Sequence, residues 1–122
     1  MCERIVALTE KLLQYNRLFL NYYKEVRQEQ KAKDFYQTVK PFADEVKSVN
    51  DAWKIDMTLW LKENSPKRLN MNQVNSTSDQ IEQLSVQAFF PQTSKSRFLN
   101  TQRTIEFFLT EVLLELSQKK KA

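Results

Sequence analysis

The chain has no glycine, no histidine and one cysteine among its 122 residues. Without glycine, tight hairpin turns lose the residue that tolerates positive φ. Rossmann loops, P-loops and nucleophile elbows are almost removed from consideration. Without histidine, most metal-ligand sets and the commonest general base are gone. Cys2 alone can form neither an intrachain disulfide nor a thiolate cluster. Long apolar runs are missing as well. Nothing approaches the roughly 18 to 20 residues of a membrane span. Met1 to Leu13 mixes charged with apolar residues instead of forming a signal-peptide core. A reducing cytoplasm is the expected compartment.

What is present is periodic. The chain is 41% apolar, 28% charged and 11% aromatic, which suits a globular domain and not a disordered one. Its length fits a single domain. Ile5, Leu8, Leu12, Tyr15, Phe19, Tyr22 and Val26 recur at steps of three and four, the signature of an amphipathic helix. A second pattern opens at Asp34 and runs through Val39, Phe42, Val46, Trp53, Met57 and Trp60. Pro41 falls in its first two turns and should bend or restart it, having no N–H to donate. A third runs from Met71 to Phe90 through many Asn, Ser, Thr and Gln residues, which compete for backbone hydrogen bonds, so a ragged start is expected. Pro91 should close it. Ser94 caps a fourth pattern, with Phe98, Ile105, Phe108, Val112 and Leu116 on one face. The helices are expected at about 2–30, 34–63, 71–90 and 94–118. No segment alternates as a strand does, and the connections are short. The expected fold is an all-α, single-domain, up-down-up-down antiparallel four-helix bundle.

Several of these residues are familiar as a set. Asp34-Phe35-Tyr36-Gln37-Thr38-Val39-Lys40-Pro41-Phe42, then Trp53, Ser65-Pro66-Lys67 and Lys95-Ser96-Arg97-Phe98, resemble the YppE-like family of small Bacillus-type proteins. The likeness runs from about residue 30 to 115, and its most specific part is the Lys-Pro at a helix start with a Trp twelve residues on. The resemblance implies a four-helix bundle and a cytoplasmic origin in low-GC Gram-positive bacteria. It implies no activity and brings no catalytic residues.

Candidate chemistry is thin. A di-iron bundle wants inward Glu residues and Glu-x-x-His pairs, which this chain cannot supply. Asp56 is the carboxylate nearest an inward position, and a helix-edge ion pair accounts for it. Cys2 has no base partner. Glu106 and Glu111 do not share an inward face for acid–base work. No catalytic, cofactor-binding or metal residues are assigned, and no cofactor is expected. Trp53 and Trp60, seven apart, share one helix face and fit the core.

The net charge of +4 is gathered at the two ends of the bundle, with an acidic middle, and forms no continuous basic stripe. That disfavours nucleic acid. The leading reading is a non-enzymatic bundle acting by macromolecular contact. A bundle holding a small apolar ligand among its aromatics is the alternative, and a nucleic-acid accessory protein is the weaker one. The contact surface is expected where the chain direction brings Tyr22-Tyr23, Phe35-Tyr36 and Phe89-Phe90 to one end. Adjacent helical residues point about 100° apart, so both members of a pair cannot be central. The candidate residues are Tyr22, Tyr23, Tyr36 and Phe90 beside Lys33, Lys95 and Arg97, facing a protein partner or a second copy. The competing reading is that the second member of each pair simply widens the buried face.

Overall fold

The structure, a computed structural model, describes the backbone of residues 2–31 and 34–121 and the side chains of residues 3–31, 34 and 36–118. The elements are α1 (Cys2–Glu29), a π-helical turn (Phe35–Val39), α2 (Lys40–Asn64), α3 (Met71–Gln87) and α4 (Lys95–Lys121). No strand occurs among the described residues.

Side-chain pairs fix the direction of each helix. Arg4 meets Asp56 at 2.9 Å and Phe19 meets Phe42, so numbers rise on α1 as they fall on α2. Lys47 reaches Glu82 at 3.3 Å and Asn50 reaches the Ser78 carbonyl at 2.9 Å, which sets α3 antiparallel to α2. Asn16 donates to the Gln102 carbonyl at 2.9 Å, and Tyr23 stacks on Phe98, so α4 runs against α1. Each helix therefore packs antiparallel to its ring neighbours in an up-down-up-down order. The expected apolar seams converge on one core. Leu12, Phe19, Trp53, Met57, Ile81, Leu84, Ile105, Leu109 and Leu116 are all fully buried.

Two sequence expectations need correction. The start of α3 is not ragged. The Asn70 side chain accepts from the Gln73 N–H at 3.0 Å, while the Gln73 side chain accepts from the Asn70 N–H at 2.9 Å. This reciprocal capping box fastens the first turn, and Thr77, Ser78 and Ser85 lie buried within the helix. The helix also stops at Gln87, short of Phe90. The chain then tightens into three-residue turns, Phe89 N–H to Val86 and Phe90 N–H to Gln87, each 3.1 Å. Thr93 Oγ1 donates to the Gln87 carbonyl at 3.0 Å, a second bond to an acceptor that already takes the Phe90 N–H.

Pro41 restarts the second helix as its chemistry requires. It occupies the first turn of α2, where a missing N–H costs nothing. The residues before it form the π turn, in which the Asp34 carbonyl accepts from Thr38 at 3.0 Å and from Val39 at 3.2 Å. The Asp34 side chain caps the turn by accepting from the Gln37 N–H at 2.8 Å.

Candidate functional site: the loop end of the bundle

Two chain connections gather at the end formed by the C-terminus of α1, the π turn, the C-terminus of α3 and the start of α4. Val39 of the π turn is buried against Val26 of α1 and Phe89 after α3, a small apolar cluster separate from the main core. Phe42 joins the two. Its ring meets Phe19, Tyr22 and Phe89 edge-on at 5.9, 5.3 and 5.7 Å. Tyr15 meets the same ring at 5.8 Å. Phe42 follows Pro41 in the first turn of α2. Edge-to-face contacts of this kind add roughly 0.5 to 1.5 kcal/mol each beyond the area they bury.

The expected contact residues divide. Tyr23 is not a surface residue: at 2% exposure it stacks on Phe98 at 4.1 Å. Its hydroxyl donates to the Thr93 carbonyl at 2.6 Å. Tyr22 is half-buried, turned toward Phe42 and Phe89. The sequence seam placed Tyr22 inward. An α-helix drifts against a strict seven-residue repeat, and by the end of α1 that drift has brought Tyr23 round to α4. Phe90 is half-buried, and Phe89 beside it takes the core position. Tyr36 stands 78% exposed on the π turn. Lys95 and Arg97 are exposed on the first turn of α4. Lys33 lies outside the described residues, as do the side chains of Cys2, Phe35 and Lys119–Lys121.

Arg27 was not foreseen and does structural work here. Its guanidinium donates to the Pro91 and Thr93 carbonyls at 3.2 and 3.3 Å and to the Tyr23 hydroxyl at 3.1 Å. It also lies over the Tyr23 ring at 5.5 Å. This clamp ties the α3–α4 connection to α1. The only sequence signal for it was a basic residue in a last helical turn.

Elsewhere the candidate chemistry resolves into structural contacts. Asp56 pairs with Arg4, and Glu106 pairs with Arg17 at 3.0 Å. Among the described residues no group of three His, Cys, Asp or Glu side chains could hold a metal ion. Trp53 and Trp60 are both in the core, and Trp53 donates its indole N–H to Thr9 Oγ1 at 3.0 Å. Among the described residues, hollows of about 340, 350 and 450 Å³ lie open on the outside of the helices, and neither Trp lines these. Among the described residues, no helix is long and apolar enough to cross a membrane.

Known proteins share this architecture throughout. A family model described as a bacterial domain of unknown function, DUF1798, matches residues 9–116. The crystal structure of a protein of unknown function from Listeria innocua is 28% identical, with a TM-score of 0.93 over 99% of this chain and 97% of its own. The uncharacterised protein YppE of Bacillus subtilis is 20% identical over 119 residues, 98% of this chain and 97% of its own length. Its crystal structure superposes with a TM-score of 0.94 over 100% of this chain and 99% of that one. A DUF1798 domain from Staphylococcus aureus is 24% identical, with a TM-score of 0.87 over 93% and 96% of the two chains. The resemblance read from the Lys-Pro helix start and its Trp is borne out.

Proposed function

The chain belongs to the DUF1798 family of bacterial domains, and from that membership and the loop-end geometry we propose that it is a non-enzymatic cytoplasmic binding module. The partner is a protein surface with an apolar centre and acidic surroundings. The observation that carries this reading is Tyr36. A large aromatic side chain is held out into solvent on a turn that is itself anchored, by Asp34 on one side and by Val39 in its cluster on the other. An exposed aromatic on a rigid support orders few groups on binding, so little of its contact energy is lost to entropy. Exposed Lys95 and Arg97 at the same end, with Lys31, supply the positive rim such contacts use. Tyr23 and Arg27 tie the α3–α4 connection, which leads into the helix start that carries Lys95 and Arg97, to α1.

The test compares wild type with the double variant Tyr36→Ser/Arg97→Glu as baits in bacterial extract. The reading expects a protein retained by wild type and lost by the variant, with identical far-UV circular dichroism for both. Equal retention of the same proteins by both baits contradicts it.

A further inference from the structure

The outward face of α4 carries a contact motif that stands apart from the loop end. Phe107 is 68% exposed, and Leu114, two turns later, is 52% exposed. The core side of α4 is built from Ile105, Leu109, Val112 and Leu116. At about 100° per residue, Phe107 and Leu114 fall on the far side of the helix from that seam. Phe107 is therefore no edge residue of the core. Arg103 precedes it by four residues and Glu111 follows it by four, so the three form one i±4 ridge. Among the described residues neither Arg103 nor Glu111 has an ion-pair partner, whereas Glu106 close by is held by Arg17.

We propose that a second copy of this chain docks on this ridge, antiparallel, about a two-fold axis at Phe107. The order basic, aromatic, acidic is self-complementary once one copy is reversed. Phe107 then meets Phe107 of the second copy, and each Arg103 faces Glu111 of the other. A two-fold interface uses the same patch twice, so a single ridge supplies both ion pairs. Two identical i±4 ridges packed this way cross at about −50°, the commonest helix-packing class. Thr104 and Thr110 flank Phe107 with short side chains that let the helices approach. The other exposed apolar pair, Ile55 and Leu59 on α2, lacks such a motif, because Asp51 beside it is held by Lys47 at 3.3 Å.

Sedimentation of the purified chain from micromolar to millimolar concentration tests this. Wild type should pass from monomer to dimer. Arg103→Glu places like charges opposite Glu111 and should raise the dissociation constant about tenfold or more. The double reversal Arg103→Glu/Glu111→Arg should restore it to within about threefold of wild type. Phe107→Ser should abolish the dimer with unchanged circular dichroism. Four results would overturn the proposal: a monomer throughout, a dimer indifferent to Arg103→Glu, a failure of the double reversal to rescue, or a dimer lost with Ile55→Ser and kept with Phe107→Ser.

Discussion

Trp53 donates its indole N–H to Thr9 Oγ1 at 3.0 Å across the α1–α2 interface, and Thr9 passes the bond on to the Ile5 carbonyl at 2.7 Å. Both residues are fully buried. The largest fully buried side chain is thus held in register by a polar relay.

Trp53→Ala should cost about 3 to 5 kcal/mol through the cavity it leaves. Thr9→Val keeps the volume and strands the indole N–H, at about 1 to 3 kcal/mol. Urea denaturation checks both. Equal stability of Thr9→Val and wild type would show that the relay contributes nothing.

Where a chain without glycine ends a helix in the left-handed region, it must do so with a residue that resists positive φ. Gln30 takes φ 56° and Ser65 takes φ 43°. At Ser65 the N–H closes the last turn of α2 onto the Leu61 carbonyl at 2.9 Å. The left-handed conformation costs an L-residue roughly 1 to 2 kcal/mol, and glycine is free of it. Ser65→Gly should therefore raise stability, by about 1 kcal/mol and not the full cost, because the added freedom of the unfolded chain offsets part of the gain. A lower denaturation midpoint would contradict this.

Tyr15 should give the protein an alkaline limit. Burial first, and then the neighbouring Glu45 carboxylate, raise its hydroxyl above the ordinary value of 10.0. Glu45 does so without a hydrogen bond of full geometry to the hydroxyl. The folded state thus keeps the proton longer than the unfolded chain does. Stability should be level below about pH 10 and should fall as pH rises through the unfolded pKa towards the folded one. Tyr15→Phe removes this slope. Denaturation at pH 8 and above pH 10 should show wild type losing more than the variant.

The seams were legible because heptad spacing marks residues such as Leu12, Phe19, Trp53 and Ile105 whatever their neighbours are. Pro41 was legible for a simpler reason: it has no N–H. The start of α3 was misread because propensity counts Asn and Gln against a helix, while Asn70 and Gln73 act on one another as caps. Asn16 and Asn50 went unnoticed as core residues, since only the antiparallel neighbour supplies the carbonyl each one needs. The choice between Tyr22 and Tyr23 depends on accumulated helical phase, which drifts about 20° per heptad. Over the three heptads of α1 that drift decides which of two adjacent rings faces Phe98. Tyr36 could be placed at the loop end from sequence, but its exposure follows from the π turn, which has no sequence marker of its own.

The loop end divides into a packed half around Tyr23 and a presented half around Tyr36. The most direct measurement is the urea denaturation of Tyr23→Ser beside that of Tyr36→Ser. The division predicts a loss of about 3 kcal/mol or more for Tyr23→Ser, from the cavity, the lost stacking on Phe98 and the lost hydroxyl bond to the Thr93 carbonyl. It predicts a change within about 0.5 kcal/mol for Tyr36→Ser. A loss at Tyr36 comparable with that at Tyr23 would make Tyr36 a core residue and contradict the binding surface built on it.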